Sequence, residues 1–242
     1  MAKPTRKKFD LYRLTVSKVF PPNNQLGIDL LRLMASYNDM SEIADWMGAN
    51  RSVPTRPIST ARGRIRMGIQ YRLLMAFMHE ALCVLSEMQG GEEYKKLLPS
   101  LSESGREALK NLNLSSGTKD GARSRIADAR NTVVFHYDAS TFAEAVRLYA
   151  KVFAEELEAE SKIIVERDGR AYYMVPEHLR DLVVFGFESK MTLEDVPEKV
   201  GGLIKRVAAL QGHLYTFMEQ LLNAYIEENG LLDDLRHETV SE

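Results

Sequence analysis

From about Ser59 or Thr60 to Gln89, apolar side chains at Ile65, Ile69, Leu73, Ala76, Phe77, Val84 and Met88 recur at spacings of three, four and seven. Gly90-Gly91 then supplies a stop, because glycine takes the backbone conformations that end a helix without a Cβ penalty. One long amphipathic helix is the only regular structure with that period, and it needs other elements on its apolar side. It is therefore expected to be central. A second long helix follows from about Val196 to Asn229, with Val200, Ile204, Val207, Ala208, Leu214, Phe217, Leu221 and Ile226 along one side and Gly230 at its end. Gly201-Gly202 and Gly212 mark close packing or a kink.

The remaining segments read as shorter pieces of the same architecture. Up to about Asn24 the chain is basic and then irregular, and LYRLTVSKVF forms a short strand or helix before Pro21-Pro22 breaks any helix. Leu26 to about Tyr37 reads as a helix, and Ser41 is placed to cap a second short one, with Trp46 anchoring the pair. The prolines of NRSVPTRPISTARGR mark a loop. Residues 92–114 predict short helices interrupted by Pro99 and Gly105. Ser140 to about Ser161 is strongly amphipathic, with Phe142, Val146, Tyr149, Val152, Phe153 and Leu157 inward, and Asp138 or Ser140 as its cap. KIIVERDGRAYYMV has β-branched and aromatic residues on both sides of Asp168-Gly169, the pattern of a hairpin. EHLRDLVVFGFES is helix-like, although Val183, Val184 and Phe185 also suit a strand, and the polar tail LRHETVSE is expected to fray. The fold class expected is all-α, a multi-helix bundle with one small β-hairpin appendage. Residues 1–242 read as a single mainly helical domain, with 1–58 as a basic extension packed on the bundle.

Between these scaffolding helices lies DGARSRIADARNTVVFHYD, residues 120–138. Asp120 is an N-cap candidate, and Ala122, Ile126, Ala129 and Val133 repeat at helical spacing, so one side of this helix faces a core. Arg130, Asn131 and His136 lie beyond that stripe as R-N-x4-H. These residue types suit metal-free cleavage of RNA. A histidine titrates in the range where it can take the proton of a 2′-hydroxyl, and an arginine offers a permanently charged fork of donors for the phosphoryl oxygens. Asn131 would orient the phosphate or the imidazole. Residues six apart on an ideal helix differ by about 240° and about 9 Å of rise, so Arg130 and His136 do not share a helix face. Their convergence needs the reach of the arginine, a helix that ends near Phe135, or a second subunit. The bland alternative is a surface helix with pairs such as Arg125 and Asp128, and a His that packs beside Phe135 and Tyr137.

The R-N-x4-H stretch resembles the signature of the HEPN superfamily, all-helical nucleases and nucleotide-binding proteins with an Arg, commonly followed by Asn, Asp or His, and then a His after four to six residues. The resemblance covers seven residues, on a late helix of a small bundle. Some members carry a Tyr two residues after the His, whereas here Tyr137 follows directly and Asp138 holds the second position. The resemblance implies a metal-independent endoribonuclease, a toxin or phage-defence effector, with Arg130, Asn131 and His136 as catalytic residues. It implies RNA as substrate, a homodimer that brings two motifs into one cleft, and an antitoxin or nucleotidyltransferase partner. Members also often have an acidic or polar residue on an earlier helix against the motif Arg, a place that Glu80 or Glu87 could fill. The reading from a different class is a non-catalytic helical module that binds a nucleotide, RNA or a protein through the same cleft.

Other chemistries find little support. His79-Glu80-Ala81-Leu82-Cys83 replaces the second His of H-E-x-x-H by Cys, with no further ligand pattern, so no metal or cofactor is expected. G-x-x-x-x-G-K-[ST], G-x-S-x-G and paired C-x-x-C are absent. Cys83 is the single cysteine, and no apolar run approaches the roughly 20 residues of a membrane span. No membrane association is therefore expected, and cytoplasmic residence is the default. Residues 1–72 hold 13 Lys and Arg against 5 Asp and Glu, a net +8 that leaves −10 for the remainder of a chain whose total is −2. Such asymmetry is either a surface for a phosphate backbone, an intramolecular match to the acidic remainder, or a solvated face. The cluster Arg62, Arg64 and Arg66 spreads around its helix and suits a solvated or pairing face better than a phosphate site.

Overall fold

Residues 8–13, 15–49, 57–112, 126–127, 143, 145–147, 163–165, 171–173, 179, 195–231 and 236–241 are described by a computed structural model, and they form an all-α helical bundle with two small strand pairs. In chain order these are β1 (Lys8–Arg13), α1 (Val16–Val19), α2 (Gln25–Ala49), α3 (Pro57–Met88), α4 (Glu92–Leu97), a 3-10 turn (Leu98–Ser100) and α5 (Glu103–Leu112). They continue with β2 (Ile163–Val165), β3 (Ala171–Tyr173), α6 (Val196–Glu228) and β4 (Arg236–Ser241).

The two long periodic segments are continuous helices, α3 with 32 residues and α6 with 33. Proline in the first turn suits the start of α6, since its missing N–H would have no partner there. Gly230, at φ +62°, turns the chain out of α6. In α3, Leu74, Met75, Ala76, Met78, Ala81, Leu82, Val84, Leu85 and Met88 are all buried. Neighbouring positions such as 74, 75 and 76 point in different directions, so α3 is covered on several sides as a central helix must be. On α6 the buried positions Leu203, Val207, Leu210, Leu214, Phe217, Leu221, Ala224 and Tyr225 form one stripe instead.

Cross-links between helices fix their directions. Asn24 lies against Tyr225, Tyr37 against Glu219 and Ser41 against Tyr215, so α2 runs antiparallel to α6. Arg32 near the start of α2 meets Glu87 near the end of α3, which makes that pair antiparallel too. Helix α5 also opposes α6, because Ser100 just before it bonds Glu228 and Gly105 sits on Gln220. The Tyr225 hydroxyl donates to the Val19 carbonyl at 2.8 Å, and its ring stacks on Phe20 at 5.9 Å between centroids. These contacts dock α1 onto the end of α6.

Several expectations need correction. The region read as two helices, with Ser41 as the cap of the second, is one helix of 25 residues. No proline or glycine separates the halves, and Leu30, Leu33, Met40 and Ile43 continue one buried series through the junction. Ser41 Oγ reaches Tyr215 instead of capping. Trp46, expected to anchor the pair, is 44% exposed. Gly105 lies inside α5 instead of interrupting it, and Ile69, Val146 and Ile204, expected to face inward, are exposed. The tail does not fray between Arg236 and Ser241, where it pairs antiparallel with β1 in the register Lys8↔Ser241 to Arg13↔Arg236. The hairpin around Asp168-Gly169 has its two strands, β2 and β3, joined Ile163↔Tyr173 to Val165↔Ala171. LYRLTVSKVF divides between both alternatives, a strand through Arg13 and a helical turn from Val16.

A side chain at position 105 would collide with α6, because a Cβ there would lie 3.0 Å from Gln220 Cβ and 3.2 Å from its Cγ. Gly105→Leu is therefore expected to lower the unfolding free energy by about 1–3 kcal/mol, the usual cost of overpacking, despite leucine's better helix propensity. Urea titration should show a lower midpoint at an unchanged slope. An undiminished midpoint would show that α5 and α6 do not touch at this residue.

Candidate functional site

The helix that leads to R-N-x4-H is described only at Ile126 and Ala127, which are helical, with Ile126 fully buried in the common core cluster. The stripe expected through Ala122, Ile126, Ala129 and Val133 thus meets a core at the one position described. Asp120, Arg130, Asn131 and His136 lie outside the described residues, as do Tyr137, Asp138 and Ser140. The amphipathic helix expected to follow is helical where described, at residues 143 and 145–147.

On α3, the acidic candidates occupy different settings. Glu80 is exposed. Glu87 accepts a 2.8 Å hydrogen bond from Arg32, which also reaches Asp29 at 2.9 Å. The two carboxylates hold the Arg32 guanidinium pKa above its ordinary value, first through the hydrogen bond to Glu87 and then through that to Asp29. Cys83 Sγ and His79 Nε2 approach to 3.4 Å across one helical turn. Among the described residues no group of three or more His, Cys, Asp and Glu side chains is placed to hold a metal ion.

A different place comes into view between α2 and α6. Leu30, Leu33, Met34, Tyr37 and Asn38 from α2, with Met218, Glu219 and Leu222 from α6, line a cavity of about 310 Å³. The helical spacing explains the set, since 30, 33, 34, 37 and 38 share one face of α2 and 218, 219 and 222 share one face of α6. Apolar side chains make most of the wall. At its polar side the Tyr37 hydroxyl donates a 2.6 Å hydrogen bond to Glu219 Oε1. Behind it the Tyr37 and Tyr215 rings meet at 4.7 Å between centroids, tilted by 52°, and Gln211 donates to the Tyr215 hydroxyl at 2.9 Å.

Sequence reasoning missed this cavity because Tyr37 and Glu219 are 182 residues apart and each looks like an ordinary helix-face residue. It also missed Gln70, fully buried in α3 with neither amide atom hydrogen-bonded. An unpaired buried polar group of this kind costs about 1–3 kcal/mol.

The Tyr37–Glu219 bond has a pH signature. Chiefly because the phenol's proton is shared with a carboxylate, and then because of burial, the Tyr37 pKa is pushed up to about 12 from 10.0. The fold favours the neutral phenol, so Tyr37's contribution to stability is complete below pH 10 and is lost as pH rises towards about 12. Tyr37→Phe should therefore show a shallower fall in melting temperature than the wild type across that window, in paired scans at stepped pH. Identical slopes for the two proteins would rule out this bond as a source of alkaline destabilisation.

No protein-family model matches the chain, and neither a curated protein nor a solved structure does, so the case for its function rests on its own residues.

Proposed function

We propose that the chain is a metal-independent endoribonuclease of HEPN type, acting as a toxin or phage-defence effector, with Arg130, Asn131 and His136 as its catalytic residues. The observation that carries this reading is R-N-x4-H following a helical segment whose Ile126 is fully buried in an all-α bundle. Ile126 precedes Arg130 by four residues in the sequence, so the expected apolar stripe leading to the motif has a buried member.

In this reading His136 takes the proton from a ribose 2′-hydroxyl, and the oxygen forms a bond to the adjacent phosphorus as the bond to the 5′-oxygen breaks. An imidazolium returns a proton to the departing 5′-oxygen. Arg130 offsets charge on the phosphoryl oxygens in a planar, two-pronged contact, and Asn131 holds the phosphate or the imidazole in place. The products are a 2′,3′-cyclic phosphate and a 5′-hydroxyl.

Incubation of the purified chain with RNA in excess EDTA is expected to give those ends. His136→Ala should lower the rate by about 10²–10⁴ and Arg130→Ala by about 10²–10³, the ranges for removing an acid–base group and a charge-stabilising donor. RNA binding without cleavage would replace this reading with the non-catalytic module.

The same proposal includes a homodimer whose two motifs share a groove, with an antitoxin or nucleotidyltransferase as the further partner that the resemblance implies. Poor convergence of Arg130 and His136 on one helix supports it, and two-fold dimers are the commonest oligomers. If each centre takes Arg130 from one chain and His136 from the other, a mixture of Arg130→Ala and His136→Ala proteins should regain about a quarter of wild-type activity after subunit exchange. Exchange demonstrated by mass, without any regain, would refute the shared centre.

A further inference from the structure

We infer that the cavity between α2 and α6 is a binding site for a small amphiphilic organic cation, an alkyl or aryl ammonium compound whose apolar body fills the pocket while its head meets Glu219. This site shares no residue with R-N-x4-H and does not rest on the ribonuclease reading.

Size and lining set the apolar half of the ligand. A cavity of about 310 Å³ lies at the lower end of the range for small-molecule sites, roughly 300–1,000 Å³. Leu30, Leu33, Met34, Met218 and Leu222 form its apolar wall. Two of these are methionines, whose flexible thioethers adapt to ligands of differing shape.

Charge decides the other half. Among the described residues Glu219 is the only ionisable carboxylate in the lining, and none of them brings a Lys, Arg or His to the cavity. Its hydrogen-bonding partner is the neutral phenol of Tyr37. The contrast with other carboxylates is direct, because Asp29 and Glu87 share Arg32, and Glu92 holds Lys95 at 2.6 Å. The Glu219 charge is thus held in position by a hydroxyl and is not neutralised by it. A cation seated there gains the carboxylate and the adjacent Tyr37 ring together, the combination that selects organic ammonium groups over neutral or anionic analogues. An anion would meet the negative charge of Glu219, with the uncharged Asn38 amide as the lining's remaining polar side chain.

The test uses the full chain with ¹³C-methyl-labelled methionine, Met34 and Met218 being identified by Met34→Leu and Met218→Leu. Hexyltrimethylammonium, 1-hexanol and hexanoate are titrated separately, and the methyl resonances followed. Saturable shifts at Met34 and Met218 are expected with the cation, at an affinity about tenfold above that for hexanol, with hexanoate weakest. Glu219→Gln, an exposed near-isosteric change, should bring the cation down to the level of hexanol, while Leu222→Trp should block both. Added salt should narrow the preference for the cation. The inference is overturned if neither methyl shifts saturably, if hexanol or hexanoate binds as well as the cation, or if a Glu219→Gln protein with wild-type circular dichroism keeps the full preference.

Discussion

The buried stripe of α6 is the constraint to which the other helices answer. From Leu203 through Val207, Leu210, Leu214, Phe217 and Leu221 to Tyr225 it runs most of a helix that is about 50 Å long. A surface of that length has to be removed from water by more than one partner. Helices α2 and α5 lie antiparallel to it, each held at a close approach, and α3 closes the core behind α2. Phe217 and Leu221, fully buried, belong to the same cluster as Leu33 on α2, Met78 on α3 and Leu112 on α5. Loosening α6 would therefore open all three contacts at once.

What was legible in the sequence is what local chemistry alone decides. Periodic apolar residues and terminal glycines delimit α3 and α6 to within two residues or so, because each turn of a long helix repeats the same signal. Turn chemistry at Asp168-Gly169 likewise marks a hairpin without reference to distant residues. Ser41 misled for the same local reason. Serine favours an N-cap when its hydroxyl has a free backbone N–H to bond, but inside α2 those N–H groups are already used and a tyrosine of α6 is in reach. The β1–β4 pair is the opposite case. It joins residues 8–13 to residues 236–241 through backbone hydrogen bonds, and the polar sequence RHETVS carries little of that pairing.

The same division applies to the candidate sites. Arg130, Asn131 and His136 are conspicuous because they are close in sequence and chemically specific, whereas Tyr37 and Glu219 become a unit only when two helices bring them together. Gln70 shows the limit from another side. Its position in a long amphipathic helix gives no warning that a polar amide is fully enclosed, since its neighbour Arg72 is enclosed as well and no apolar period marks either. Burial on several sides of α3 removes the polar face that an amphipathic reading assumes.

The packing also bears on where a nucleic acid would be attracted. A net +8 over residues 1–72 suggests a broad basic surface, but among the described residues some of its 13 cations are already paired or enclosed. Arg32 is tied to Asp29 within that segment and to Glu87 in the acidic remainder, and Arg72 is only 4% exposed. Charges paired at hydrogen-bond distance contribute little field beyond about one Debye length, roughly 8 Å in physiological salt. Part of the asymmetry is thus an intramolecular match and not a surface for phosphate. An RNA that reaches the ribonuclease centre proposed above would depend the more on charge concentrated locally, which the proposed groove with two copies of Arg130 would supply while the chain as a whole stays negative.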